Sequence, residues 1–571
     1  MNLLKFFDFF SDYVSGRQFI VLAMSVFATL LETIGFLTLI PVLSFVDEKN
    51  MEADSDVANT IIFFFETVGI SPSFFNILMI FVIIFALKGL ILFLMLRYLA
   101  FTRAILLMGL RKKIFSVFAA STALNSRSIT HGDQVNIFSQ QTESVSQLYF
   151  SMVSVVTLLC SGLIFSIFSL IISPTVTISG IFIGAIYWLL MEKVNGQIKK
   201  QSEERSRTEG AIVQESYQFV TGFEYFKSTE RTPAVLDRIY YILDKLKLVD
   251  FKMATLQALS QALREPVLVV ALSLMLILQY SFEAGGIGEL VVSLILLYKA
   301  LNSIMAVQSS YAAALSNIGS LVLFKSELTQ LSGMVEKSGK QEFSFKKEII
   351  FDNVSYAYPG SKSNALEKVS FSIKKGEKVA IVGPSGSGKS TILRLLLLLD
   401  EPTSGTITVD GVDAKKLSKS SYRKKIGFVT QNLNVLSGNV VDNITLGRIS
   451  KGEEKINEVI FALKNAQLDE LINEKNLKGD SLSLGSSVNL SGGQLQRLCI
   501  ARELFGNADL YFFDEASSSL DEQTETEIRI ALNKVLNKKT SIYVSHRAGL
   551  IQDANKTLIV NNKTVKETLV K

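Results

Sequence analysis

A chain of 571 residues is longer than one hydrophobic core normally supports, so two or more domains are expected. Its net charge of +5, from 58 basic and 53 acidic residues, is too small to mark a nucleic-acid surface. Cys160 falls in an apolar run and Cys499 in the soluble part, which argues against a mutual disulfide, and His131 and His546 are far apart with no cysteine neighbours, which argues against a structural zinc site. The 48% apolar share is unevenly spread: long apolar runs fill the chain to about Ser320, and an ordinary soluble α/β composition follows.

The chain begins with Leu3, Leu4, Phe6, Phe7, Phe9 and Phe10 mixed with Lys5, Asp8 and Asp12, and no small-residue cleavage site follows. This predicts an interfacial amphipathic helix rather than a signal peptide, with a helix packed on the protein as the alternative. A helix needs roughly 20 apolar residues to cross a bilayer. Six stretches qualify: Phe19–Val46, Phe74–Leu99, Tyr149–Ile172, Thr175–Met191, Pro266–Phe282 and Ile287–Val307. Ser173-Pro174 and Glu283-Ala284-Gly285-Gly286 provide tight turns between neighbouring spans.

The segment after the second span carries Arg97, Arg103, Arg111, Lys112, Lys113 and Arg127. The one after the fourth carries Lys193, Lys199, Lys200, Arg205 and Arg207. The positive-inside rule makes both cytoplasmic. Both are rich in helix formers, which predicts helices running past the bilayer and turning near Ser126–Asp133 and Gly222–Ser228. Such tips would meet the soluble part of the chain.

Glu32, Lys88, Glu265 and Lys299 are charged residues in or near the spans. Charge in hydrocarbon is costly, so such groups face a cavity or a partner. Glu32 and Lys88 are candidates for a polar substrate path. A structural ion pair, or snorkelling by Lys88 and Lys299, is the alternative.

From Glu348 the pattern changes to short β-runs and turns. Val379-Ala380-Ile381-Val382 reads as a buried strand and leads into Gly383-Pro384-Ser385-Gly386-Ser387-Gly388-Lys389-Ser390-Thr391. This is the phosphate-binding loop G-x-x-x-x-G-K-[ST] between a strand and a helix. Its glycines let backbone N–H groups wrap phosphates, and the following helix, Thr391–Leu399, adds a positive N-terminal dipole. Lys389 would touch the β- and γ-phosphates of ATP and Ser390 would ligate Mg2+. A second apolar strand, Leu510–Phe513, ends in Asp514-Glu515. Asp514 suits Mg2+, and Glu515 can polarise an attacking water. Between them, Leu490-Ser491-Gly492-Gly493-Gln494 opens a helix over Gly493–Leu504, another anion-attracting N-terminus.

These three motifs, in this order and approximate spacing, resemble the ABC ATPase family, and the Ser491 loop resembles its signature. The resemblance implies further roles. Tyr358, in Tyr356-Ala357-Tyr358-Pro359, would stack on adenine, and Gln431 would sense Mg2+ and water. Asp521, in Ser519-Leu520-Asp521, would belong to the D-loop, and His546 would contact the γ-phosphate. ATP would be held by Tyr358, Gly383–Thr391 and Gln431 of one chain and by Ser491, Gly492, Gly493, Gln494 and Asp521 of another. Glu515, His546, Gln431 and Lys389 would be catalytic, and Ser390, Gln431 and Asp514 would hold Mg2+.

The implied fold class is a multi-domain membrane protein: an all-α domain of six transmembrane helices (1–332), a linker (333–346) and an α/β P-loop NTPase domain of ABC type (347–571). It would act as a homodimer that exports or flips an amphipathic substrate by alternating access, with no nucleic-acid partner. The stretch before the signature, Leu484–Asn489, departs from the family's acidic Gly-Glu-x-Gly pattern, so details of domain coupling do not carry over.

Glu32–Pro41 is similar to the first span of bacterial lipid-linked oligosaccharide flippases. Lipid, peptide or drug export are the other substrate classes, and the absence of a peptidase-like segment before the first span counts against a processing peptide exporter. An ATP-gated channel or sensor is the other functional class. Frequent Lys, Ile, Asn and Phe suggest an AT-rich bacterial genome, and so a bacterial cytoplasmic membrane.

Overall fold

The computed structural model describes residues 3–46, 56–67, 69, 71, 73–123, 131–172, 174–282, 287–431, 433–436, 439–446, 454–472, 490–515, 522–545 and 551–569. The chain forms two compact units that divide between Val335 and Glu336.

The N-terminal unit is helical. Its principal helices are Arg17–Leu37, Phe74–Ala120, Thr142–Ile172, Pro174–Thr221, Thr232–Ala262, Arg264–Phe282 and Ile287–Leu315. Among the described residues, five helical stretches are long and apolar enough to cross a membrane: Arg17–Leu43, Phe74–Ala120, Gly132–Ile172, Thr177–Thr221 and Val291–Leu315. Arg264–Phe282 occupies the place of the predicted fifth span as a helix of 19 residues. The most apolar window of Phe74–Ala120 is only 6% buried, and Val82, Ile83, Leu90 and Phe93 point outward. An apolar exterior of this kind suits lipid and not water.

The 47 residues of Phe74–Ala120 extend about 70 Å, more than twice a hydrocarbon core. Helices therefore run past the bilayer, as their charged ends predict. The short helix Phe223–Ser228 turns Pro174–Thr221 into Thr232–Ala262 at the expected tip. Of the other tip, 124–130 lie outside the described residues.

The N-terminal helix, Leu3–Val14, turns its apolar stripe onto protein. Phe6, Phe10 and Val14 recur every fourth residue and are buried with Leu106, Leu110 and Tyr149. Phe10 lies 5.0 Å from the Tyr149 ring. The packed-helix alternative therefore describes it, and its apolar face is not left for a membrane surface.

Among the described residues, the C-terminal unit contains ten strands: β1 (Glu348–Tyr356), β2 (Leu366–Lys374), β3 (Lys378–Val382), β4 (Ser404–Val409), β5 (Val412–Asp413), β6 (Ile426–Val429), β7 (Leu510–Asp514), β8 (Thr540–Val544), β9 (Lys556–Asn561) and β10 (Thr564–Leu569). One sheet is antiparallel, in the order β2-β1-β4-β5. The other runs β10-β9-β3-β8-β7-β6 and is parallel from β9 to β6. Strands β7 and β8 are buried almost throughout, as expected when both faces of a parallel sheet are covered.

In register, Ile381 of β3 and Asp514 of β7 both pair with Val544 of β8. The carboxyl ends of β3, β8, β7 and β6 therefore share one edge of the sheet, where open α/β folds bind ligands. Chain segments 336–346 are pinned to this unit: the Gly339 N–H donates to Leu417 O, the Gln341 N–H to Lys416 O and the Phe343 N–H to Ser421 Oγ.

Candidate active site

The loop after β3 builds the first wall. Gly383, Gly386 and Gly388 have φ of 156°, 77° and 113°. At Gly388 an added Cβ would also stand 2.7 Å from Leu366 Cδ2 and 3.1 Å from Ala365 O, so both conformation and space require glycine. The loop's helix is Lys389–Leu396, which starts two residues before the predicted Thr391. Pro384, Ser385, Gly386 and Ser390 are exposed on the rim, whereas Ser387 and Lys389 are buried.

Lys389 Nζ curls back to donate to the Gly383 and Pro384 carbonyls at 2.7 and 2.9 Å, so its ammonium sits inside the loop. Among the described residues, Ser387 Oγ, buried there, has no hydrogen-bond partner. A buried ammonium and an unsatisfied hydroxyl within a glycine cradle fit a polyphosphate. Tyr358 is half-buried, packs edge-on against Tyr356 and shares a 3.0 Å hydrogen bond with Thr391 Oγ1, which fastens it to the loop's helix.

Two strands away, about 10 Å across the sheet, β7 ends at Asp514 and the chain bends at Glu515. Glu515 has φ of 51°, an uncommon conformation for a residue with a side chain. Its N–H donates to Val544 O at 2.9 Å, and its Oε2 accepts from Gln431 Nε2 at 2.7 Å. Burial and then the neighbouring Glu515 charge push the Asp514 carboxyl above its ordinary pKa, against the pull of Lys389. Lys389, Asp514, Glu515 and Gln431 therefore belong to one electrostatic neighbourhood. The sequence reading did not single out Gln496. It is buried in the helix Gly492–Phe505, and its amide lies 3.4 Å from the Glu515 carbonyl. Arg502 is buried on the same helix beside Leu498, Cys499 and Ile500, so no purely apolar face set Gln496 apart in the sequence.

The third element is Ser491, which caps Gly492–Phe505. Its hydroxyl accepts from the Gln494 N–H at 3.2 Å, and Gln494 Oε1 accepts from the Ser491 N–H at 2.9 Å, a reciprocal capping box. Gln494 Nε2 and Arg497 both reach Glu470. Ser491 and Gly492 remain exposed and Gly493 partly so, presenting a rigid helix start outward.

Residues 366–518 match the family described as ABC transporter. The C-terminal unit carries an ABC transporter domain. The chain's curated relatives include the mitochondrial iron–sulfur clusters transporter ATM1 of Candida glabrata, 32% identical over 60% of this chain and 48% of that protein. They also include the ATP-dependent lipid A-core flippase of Pasteurella multocida, 28% identical over 67% of this chain and 66% of that protein. The chain spans about half the length of the first of these, 48%. A solved bacterial Atm1-family ABC exporter with ATP bound has the same fold, with a TM-score of 0.77, 21% identity, and coverage of 97% of this chain and 96% of that one.

Three assignments made from the resemblance concern residues outside those described: Asp521 of the D-loop, His546, and the stretch Leu484–Asn489. In the helical unit, Glu32 is the shared partner of two lysines. Lys88 Nζ lies 2.9 Å from one carboxylate oxygen and Lys299 Nζ 2.9 Å from the other. Both lysines turn to this carboxylate. Lys299, which the candidate path did not include, is the third charge of this ion-pair cluster.

Proposed function

We propose that this chain is one half of an ATP-driven exporter of amphipathic molecules, working as a homodimer in a bacterial cytoplasmic membrane. The observation that carries the reading is the convergence of Lys389, Asp514, Glu515 and Gln431 in a chain whose other unit has lipid-suited helices. ATP is the substrate of the C-terminal unit. Its phosphates would take the Lys389 ammonium away from the Gly383 and Pro384 carbonyls and give Ser387 Oγ a partner. Ser390, Asp514 and Gln431 are the residues that would hold Mg2+, whose charge would offset that of the phosphates. Glu515 accepts a proton from, or orients, the attacking water, and Gln431 fixes its carboxylate through the 2.7 Å hydrogen bond.

A second copy supplies Ser491–Gln494 to the γ-phosphate, so ATP favours paired C-terminal units and hydrolysis releases them. Differential affinity for the two states can then drive alternating access in the membrane. The substrates named for the relatives, lipid A-core and iron–sulfur clusters, are unlike each other. The amphipathic class rests on charged groups set among apolar helices. The likeness of Glu32–Pro41 to oligosaccharide flippases gains nothing from the relatives described.

The test is hydrolysis by the purified chain in liposomes. Unsubstituted protein should turn over ATP in a Mg2+-dependent way. Glu515→Gln should keep ATP bound and lose on the order of a hundredfold or more in turnover. Normal hydrolysis by that variant would remove Glu515 from its role, and an inactive unsubstituted chain would sink the exporter reading. Hydrolysis without accumulation of any amphiphile would favour a gated channel or sensor.

A further inference from the structure

Glu32, Lys88 and Lys299 stand near the middle of three spans. Lys88 lies about 21 Å along its helix from Phe74 and about 17 Å from Leu99. A lysine stem is too short to reach either interface from there. The three groups carry one negative and two positive charges, a surplus of one positive charge at a depth where an uncompensated charge is costly.

The arrangement is also directional. The Glu32 side chain is only 11% exposed, whereas the Lys88 and Lys299 side chains keep 22% and 33% of their surface. The carboxylate is thus enclosed while the ammonium groups remain accessible. Each ammonium lies 5.5 Å from a ring, Lys88 over Phe85 and Lys299 over Phe36, and the two rings meet edge to face at 5.4 Å. Ring faces offer weaker compensation than a counter-ion. Each ammonium has three donors, and Glu32 takes up one from each.

We propose that the paired lysines are the headgroup site of the transported amphiphile and select an anionic one, a phosphate or carboxylate attached to an apolar tail. Glu32 offsets one of the two positive charges, and the headgroup's oxygens complete the charge and hydrogen bonding of the two ammonium groups. Phe36 and Phe85 flank the first carbons of the tail. The proposal rests on the exporter reading, and it narrows the substrate to one sign of charge.

Binding is measurable without nucleotide, using the full chain in phosphatidylcholine nanodiscs and three labelled probes: dioleoyl phosphatidate, oleate and neutral dioleoylglycerol. Phosphatidate alone, oleate alone, or both should bind saturably, and which of them binds identifies the acid. Dioleoylglycerol should not bind. Lys88→Gln and Lys299→Gln should each weaken binding roughly tenfold to a hundredfold, the loss expected for a charge-assisted contact, and Lys88→Arg should restore most of it. Glu32→Gln, which adds to the positive surplus, should tighten it. A merely structural ion cluster predicts the opposite for that variant: all three Gln substitutions would weaken binding alike. That result, or equal binding of the neutral probe, would overturn the proposal. ATP hydrolysis by the unsubstituted chain in the same discs reports on the exporter reading separately, so the failure of one is distinguishable from the failure of the other.

Discussion

Ser387 shows how a single residue can be held at a cost for the sake of a ligand. Its hydroxyl is buried in the loop and has no hydrogen-bond partner among the described residues, which is unfavourable for the folded chain. Ser387→Ala should therefore leave thermal stability unchanged or slightly raised while weakening ATP binding roughly tenfold, the worth of one phosphate hydrogen bond. Paired melting and nucleotide-titration curves would check it, and a fall in both would make Ser387 structural. Glu336 is the contrasting case, a residue whose charge serves the fold. Burial alone would raise its carboxyl, but hydrogen bonds from Arg423 at 2.6 and 2.7 Å outweigh it and hold the pKa below the ordinary value. A depressed carboxyl contributes stability above its unfolded pKa, about 4.3, and loses it as the pH falls through the lower folded value. Glu336→Gln should thus cost about 1 kcal/mol at pH 7, since Arg423 is partly exposed. The gap to the unsubstituted chain should close below about pH 4. Thermal unfolding at pH 7 and at low pH measures it, and a gap that persists in acid would remove the ion pair as its cause.

Among elements, what could be read from the sequence follows from how local each signal is. The strands β3 and β7 were legible because each is a short apolar run ending in the residues that do the chemistry, Gly383 onward and Asp514-Glu515. The start of Gly492–Phe505 was legible to within a residue because a Ser cap and a Gln three positions on form a self-contained box. The partner of Leu3–Val14 was not, since a stripe of Phe6, Phe10 and Val14 suits a membrane surface and a protein groove equally well. The meeting of Glu32 with Lys299 was hidden for a similar reason: nothing local in either helix specifies which side chain a distant helix will offer. Asn195 and Gln308 form another such pair. Buried between Pro174–Thr221 and Ile287–Leu315, each amide donates to the other, at 3.2 and 2.8 Å. Gln308→Leu should destabilise the helical unit by about 1 kcal/mol because Asn195 is left unpaired. Adding Asn195→Leu should recover much of that loss, and a double-mutant cycle on detergent-phase melting temperatures measures the coupling. Additive losses would mean that the two amides do not act as a pair.

At the scale of the whole molecule, the sites for phosphate and for the signature raise a question of address. One chain carries Lys389 inside a glycine loop and Ser491 exposed at the start of a separate helix. If a working site joins Lys389 of one copy to Ser491 of another, the two residues are needed in different subunits, and complementation should reveal it. Lys389→Ala and Ser491→Ala homodimers each lack any intact site and should hydrolyse ATP far below the unsubstituted rate. A mixed dimer, with Lys389→Ala in one copy and Ser491→Ala in the other, places both defects in the same composite site and leaves the second site whole. Such dimers, purified through two different tags, should recover activity, up to about half the unsubstituted rate where the sites act independently. Sites completed within a single chain predict the reverse: every site in the mixed dimer would carry one defect, and mixing would restore nothing. The outcome depends on the sign of a difference between two inactive proteins and their mixture, so it decides the assembly of the site without requiring the substrate to be known.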